Sequence, residues 1–125
     1  MKYLLDSNAL IYAARPDALS AAFRPWVKHP EAAVSAVSRV EVLGFTRLTA
    51  ADARAFAAMF LVLPQLPITD PILNLAVSIR QQMRLKTPDA IVAATALFHG
   101  LELITADSDF ARVTGLVVVN PLSVQ

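Results

Sequence analysis

The chain has 125 residues, 56% apolar and 17% charged, with 11 Lys and Arg against 10 Asp and Glu for a net charge of +1. Apolar content this high offsets the entropy of ordering and excludes a disordered chain, and zero Cys excludes a disulfide scaffold, a Cys nucleophile and a Cys-rich zinc site. A charge of +1 by itself points neither to a nucleic-acid binder nor to a membrane-surface protein, and no segment approaches the ~20 consecutive apolar residues of a membrane span.

In chain order, Tyr3-Leu4-Leu5 is a short apolar run closed by Asp6-Ser7-Asn8, the pattern of a buried parallel strand. A helix is expected from Ala9 to Ala14, ending at Arg15-Pro16, and a second from Ala18 to Lys28 with an interruption at Pro25. Ala32 to Ser35 reads as a second strand. Ser38 then precedes Val40, Leu43 and Phe45 at helical spacing, and Thr49 to Leu63 carries Phe56, Met59, Phe60 and Leu63 in the same way. Leu66-Pro67-Ile68 is at best a short strand. Asp70-Pro71 and Thr87-Pro88 each open a helix, the latter closing at Gly100. Leu103 to Thr105 and Leu116 to Val119 are the last strands. Alternation of short apolar strands with helices predicts an α/β fold, with a parallel sheet of four to five strands. With no repeat and no Gly/Ser linker, one domain is expected over residues 1–125. The first residues reach an acid at Asp6, which fits no secretory leader, and together with zero Cys this sets the expectation of a cytoplasmic protein.

Ligands of parallel α/β sheets bind outside the carboxyl ends of the strands, so the residues at those ends matter most. Asp6 directly follows the first strand, and Asp107 and Asp109 follow Leu103 to Thr105 after one or three residues. Asp89 lies in the first turn after Thr87-Pro88, and Glu41 in the first turn after Ser38. If those helix starts face the same rim, five carboxylates converge. Clustered carboxylates raise one another's pKa unless a cation neutralises them. Oxygen-only ligands favour Mg²⁺ or Mn²⁺, and a pair of such ions is the clamp used for phosphodiester hydrolysis.

Each acid also has an ordinary structural reading. Ser38-x-x-Glu41 matches a capping box, Asp89 after Pro88 suits the positive end of a helix, and Asp107-Ser108-Asp109 suits a turn or an N-cap. Asp6 is the hardest to explain this way, since no basic residue follows within eight positions to pair with an acid abutting a buried strand. Arg80, Arg84 and Lys86 form a basic helix end that is a candidate RNA contact or a solvated face, and Arg15, Arg24 and Lys28 form a second basic group. Trp26 is assigned to the core, His29 to a polar loop and His99 to a helix C-terminus. Gly occurs only at 44, 100 and 115, which excludes a P-loop, a dinucleotide fingerprint and a nucleophile elbow.

Four ordered motifs, Leu4-Leu5-Asp6-Ser7-Asn8, Ser35-x-x-Ser38-x-x-Glu41, Pro88-Asp89-Ala90-x-x-Ala93-x-Thr95-Ala96 and Thr105-x-Asp107-x-Asp109-Phe110, resemble those of a PIN domain, and in particular of VapC-type toxins of bacterial toxin–antitoxin pairs. The resemblance spans Leu4 to Pro121. It implies a three-layer α/β/α sandwich and a metal-dependent endoribonuclease, homodimeric and inhibited by a small antitoxin encoded beside it. By position it makes Asp6, Glu41, Asp89 and Asp107 the catalytic acids. Asp6, Asp89, Asp107 and the extra acid Asp109 would then be ligands of one or two Mg²⁺ or Mn²⁺ ions. Ser7 or Asn8 would orient Asp6 or the ions' waters, Thr105 would act beside Asp107, and Ser35 and Ser38 would place hydroxyls next to the site. Cleavage would leave 5′-phosphate and 3′-hydroxyl ends. Two rival readings are a phospho-accepting regulator, which lacks a Lys at a later strand end, and a PIN module that binds RNA or protein without cutting. The sparse charge further predicts exposed apolar patches, supplied by the helices at Ala9–Ala14 and Thr49–Leu63.

Overall fold

The computed structural model describes residues 1–123, so the last two residues of the expected domain, Val124 and Gln125, lie outside the described residues. Five parallel strands, β1 (Tyr3–Leu5), β2 (Ala32–Ser35), β3 (Gln65–Leu66), β4 (Glu102–Ile104) and β5 (Val118–Val119), form one sheet in the order β3-β2-β1-β4-β5. Six helices accompany them: α1 (Ser7–Ala14), α2 (Ala18–Val27), α3 (Ala36–Leu43), α4 (Ala50–Val62), α5 (Asp70–Gln82) and α6 (Thr87–His99). A 3₁₀ turn, Ser108–Arg112, follows β4. Among the described residues no helix is long and apolar enough to cross a membrane.

Successive strand side chains point to opposite faces, and this alternation divides the core. Leu4 stands level with Ala33 and Leu103 and packs with Ile72, Ala76 and Ile79 of α5 and the buried small residues of α6. Leu5 stands level with Val34 and Ile104 and packs on the other face with Leu10, Phe23, Val42 and Phe56 from α1 to α4. The expected three-layer α/β/α sandwich is therefore present. Helix α6 is buried on most of its circumference, from Ala90 to Ala96. Its alanines let it lie close to both α5 and the sheet, and Thr95 satisfies its buried hydroxyl by donating to the Ile91 carbonyl at 2.7 Å.

Several boundaries differ from the sequence reading. Helix α1 starts at Ser7 rather than Ala9, because Asp6 caps it. Pro25 does not break α2; it falls in the last turn, and the helix continues to Val27. Helix α3 starts at Ala36 with Ser35 as its N-cap, the Ser35 hydroxyl accepting from the Val37 N–H at 3.2 Å. Ser38 is thus buried inside α3 and Glu41 lies in its second turn, which removes the capping-box reading. Strand β3 stops at Leu66, because Pro67 has no N–H to give to a ladder. The apolar patches also lie elsewhere than expected. None of the exposed large apolar residues belongs to α1, and α4 supplies only Leu61 and Val62 at its end; Val40 of α3 and Leu73 and Val77 of α5 supply others.

Gly100 terminates α6 with φ +67, and its N–H is donated back to the Leu97 carbonyl. Nothing lies within 4 Å of where a Cβ would stand, so the backbone alone demands glycine. Gly100→Ala should lower unfolding free energy by about 1–2 kcal/mol through left-handed strain alone, read by urea denaturation, with the fold unchanged by circular dichroism.

Candidate active site

The site is built at the carboxyl end of the sheet, beginning with the two central strands. Asp6 is the first residue beyond β1, and its N–H is donated to the Ile104 carbonyl of β4 at 3.2 Å. Only 3% of its surface is exposed. Its Oδ1 accepts the Ala9 N–H at 2.8 Å, capping α1, and its Oδ2 accepts the hydroxyl of fully buried Thr105. The Thr105 hydroxyl in turn accepts the Asp107 N–H at 3.0 Å, and Asp107 Oδ1 accepts the Asp109 N–H at 2.9 Å, capping the 3₁₀ turn. One chain of hydrogen bonds therefore runs from the turn after β4 to the end of β1. Thr105 acts on Asp6 as well as on Asp107, which local spacing did not reveal.

A second chain joins α1 to α3. The Ser7 hydroxyl lies 2.7 Å from Glu41 Oε1 and 3.0 Å from the Ser38 hydroxyl. A carboxylate can only accept, so Ser7 donates to Glu41. Ser7 thus holds Glu41 rather than orienting Asp6, while Asn8 is exposed on the first turn of α1.

These placements set the electrostatics. Burial is the chief reason that the Asp6 carboxyl is pushed up from 3.8 to about 6; the hydrogen bonds from Thr105 and Ala9 oppose it, and the charges of Asp89 and Asp107 add to it. Asp89, in the first turn of α6 and partly buried, is also raised, by burial first and then by the charges of Glu41 and Asp107. Lys86 opposes that rise and Asp109 reinforces it. Asp6 thus feels the charges of Asp89 and Asp107, and Asp89 those of Glu41, Asp107 and Asp109. Among the described residues, no three His, Cys, Asp or Glu stand close enough together to hold a metal ion. The donors are nonetheless all oxygen, and each Asp6 oxygen, having accepted one hydrogen bond, retains a lone pair. By donor type the set suits a hard divalent ion, which the side chains as placed do not enclose. Asp109 is the outermost, exposed and 3.8 Å from the Arg112 guanidinium.

Basic groups flank the acids on two sides. Arg80 at the end of α5 and Arg84 and Lys86 in the following link line an open hollow of about 350 Å³ with Met83 and Leu85. Arg80 Nε donates to the Leu85 carbonyl at 3.2 Å, and Lys86 is the residue before α6, three positions ahead of Asp89. On the other side, Asn8 and Glu41 border a cleft that also contains Arg15 and Arg47. The expected group of Arg15, Arg24 and Lys28 is rearranged: Arg24 donates to the Ala13 and Arg15 carbonyls at 3.3 and 3.4 Å. Arg47, which the sequence reading missed, is the cation beside Arg15 in the cleft. It stands in the link between α3 and α4, where no periodicity marks a face. Trp26 is only partly buried, edge-on to Tyr3 at 5.0 Å and stacked on His29.

A parallel sheet carrying this order of acids at its carboxyl rim defines an α/β domain of the PIN type, and the sequence profile of the PIN domain matches residues 3–116. The chain belongs to the PIN domain family. Among solved structures it is similar to a toxin–antitoxin complex from Klebsiella pneumoniae, at 33% identity and TM-score 0.78 over 98% of this chain and 100% of that one. It is also similar in fold to VapBC2 from Rickettsia felis bound to a promoter DNA fragment, at 18% identity and TM-score 0.79 over 96% and 98% of the two chains. A third similar fold is VapC20 from Mycobacterium tuberculosis, a sarcin–ricin loop cleaving toxin, at 17% identity and TM-score 0.73 over 93% and 97%. No curated protein matches the chain significantly.

The state of Asp6 makes stability depend on pH in a definite direction. The folded chain keeps this proton up to about pH 6, whereas an unfolded chain releases it near 3.8. Between those values the folded state binds the extra proton, so stability falls as pH rises through the window and this group adds nothing further above it. The gap corresponds to a loss on the order of 3 kcal/mol at about 1.4 kcal/mol per pH unit. Asp6→Asn keeps an acceptor for the Ala9 N–H and should flatten that slope in chelator-containing buffer, as measured by denaturant titration from pH 4 to 7.

Proposed function

We propose that this protein is a metal-dependent endoribonuclease, the toxin of a type II toxin–antitoxin pair. The observation that carries the reading is the set of mutually repelling acids at one strand rim, with Asp6 and Asp89 both raised by burial and by neighbouring carboxylates. Such a set is stabilised by a cation, and its oxygen donors suit Mg²⁺ or Mn²⁺. Membership of the PIN family and the similarity to toxin–antitoxin structures support a nuclease under antitoxin control. The sarcin–ricin loop cleaving toxin, with its shared fold, supports RNA as the substrate.

In this reading Asp6, Asp89 and Asp107 would hold one or two ions, with Asp109 as a further ligand and Glu41 binding directly or through water. The chemistry such an ion would supply is a lower pKa for water and neutralisation of charge developing on the phosphate. The rest is done by the chain. The Ala9 N–H and Thr105 hydroxyl fix both oxygens of Asp6, and Thr105 ties the Asp107 backbone to the same point. Ser7 fixes one oxygen of Glu41, leaving Oε2 for the ion or for a proton from the attacking water. Arg80, Arg84 and Lys86, next to Asp89, take the phosphates of the incoming strand. The near-neutral charge of the chain then confines the attraction for RNA to these flanks.

Asp89→Asn should fold normally and cleave RNA on the order of 100-fold more slowly or worse in Mn²⁺, with melting temperature equal to or above that of the parent in chelator. Glu41→Gln retains an acceptor for Ser7 and should likewise lose rate with near-normal stability. Cleavage by both variants at the parental rate would reject the site. An intact acid set that binds Mn²⁺ but cuts no RNA would favour the non-cutting module.

The protein is further proposed to act as a homodimer whose antitoxin blocks the acidic cleft. Val40 is 72% exposed beside an open hollow of about 560 Å³ between α3 and β3, and Leu61 and Val62 leave α4 just before β3 at 88% and 68% exposure. Apolar surface this open at one sheet edge supports that reading. Light scattering at micromolar concentration should give twice 13.5 kDa, and Leu61→Glu with Val62→Lys should return the monomer mass.

A further inference from the structure

The cleft beside Glu41 has features that holding acids or ions does not explain. It is a concavity of about 340 Å³ between α1, α3 and the start of α4. Its walls are the apolar side chains Ile11, Val42, Leu48 and Phe56, and 63%-exposed Phe45 stands at its rim. Arg15 and Arg47 line it against the single acid Asp52, apart from Glu41 itself. The Arg15 guanidinium is already set over the Tyr12 ring, 4.8 Å from its centroid. Beyond Arg15 the groove continues into a second hollow of about 230 Å³, which shares Ile11, Asp52 and Phe56 with the first.

Continuity decides what such a cleft holds. Two of its bordering residues, Asn8 and Glu41, stand on the same helices as the candidate site: Asn8 is two residues from Asp6, and Glu41 belongs to the acid set. A strand whose scissile phosphate lies at the acids must place a neighbouring nucleotide within one backbone step of that border. An apolar-walled hollow with an exposed aromatic at its mouth suits the face of an unpaired base, since stacking on an aromatic serves any base. The two arginines suit the flanking phosphate, as planar donors to its oxygens.

We propose that this cleft binds one unpaired nucleotide of single-stranded RNA next to the scissile phosphate, its base against Phe45 and the apolar wall and its phosphate on Arg47 and Arg15. The proposal deepens the nuclease reading and rests on it for the position of the scissile bond. It divides the RNA path in two. Arg80, Arg84 and Lys86 hold phosphates on the Asp89 side, and the cleft holds a base and a phosphate on the Glu41 side.

Arg47 and Phe45 are both exposed, so the test variants leave the core intact. Binding of a fluorescent single-stranded oligoribonucleotide is measured by anisotropy in chelator, where cleavage plays no part, over a range of salt. Arg47→Ala should weaken binding several-fold and lower the slope of log affinity against log salt by about 0.7, the loss of one phosphate contact on a single strand. Lys2→Ala, at the amino end of β1 and exposed, is the control and should change neither. A single abasic position in the oligonucleotide should weaken binding to the parent protein and make no difference to Phe45→Ala. Parental affinity and salt slope in Arg47→Ala, with RNA cleavage intact, would overturn the cleft while leaving the nuclease reading standing. Loss of cleavage by the parent protein with Arg47-dependent binding retained would reject the nuclease reading and keep the cleft. Arg47→Ala that weakens capture of the co-expressed antitoxin but not of RNA would overturn the proposal and assign the cleft to a protein partner.

Discussion

The carboxylate of Asp6 is held where a negative charge is costly, at the buried junction of the two central strands, with a helix N-terminus and a single hydroxyl as its partners. Neither partner is a cation. Two hydrogen bonds lower the penalty of charging the group but do not cancel it, and neighbouring acids raise it again. Everything else at the rim is arranged around that unresolved cost. Thr105 and Asp107 are drawn toward β1 by the hydrogen bonds they pass along, and α1 leaves the sheet in the direction its cap dictates. A protein selected for stability alone would place Asn there. With Asp there, the position carries a charge that its own hydrogen bonds leave partly uncompensated.

Capping does not use up the acids' capacity to accept. Asp6 caps α1 and Asp107 caps the turn after β4, each with an oxygen accepting a backbone N–H. Capping fixes the rotamer and leaves acceptor capacity on the same carboxylate. The helix end that rewards a negative charge is therefore also the support that aims it. Asp89 sits in the first turn of α6 in the same spirit, although no side-chain cap bond is made there.

Much of this was legible from local pattern. The strand before Asp6 and the helices opened by Asp70-Pro71 and Thr87-Pro88 depend on short-range signals, and they lie where those signals put them. The start of α3 was not legible. Ser35 and Ser38 both precede helix-compatible residues, and which one caps depends on how far β2 pairs with β3, through the Ser35–Leu66 register, a contact distant in sequence. Arg47 escaped for a similar reason, since its place in the cleft follows from how the α3–α4 link closes. In α4 the apolar residues run all around the helix, so the pattern could not say that Leu61 and Val62 face outward. The positions of the acids along the chain were readable; the Ser7–Glu41 and Thr105–Asp6 bonds that hold them were not, because each joins distant segments.

The Thr105–Asp6 bond joins residues 99 positions apart. During synthesis Asp6 and Ser7 emerge first, yet the hydroxyl that fixes Asp6 and the backbone that carries Asp107 are made only when β4 appears, in the last fifth of the chain. Contacts of such sequence separation form late, after the loop-closure entropy has been met. A ribosome-bound fragment therefore contains the first acid without the group that orders it. The order of that carboxylate is thus settled by the last strands to join the sheet, not by the segment that carries it.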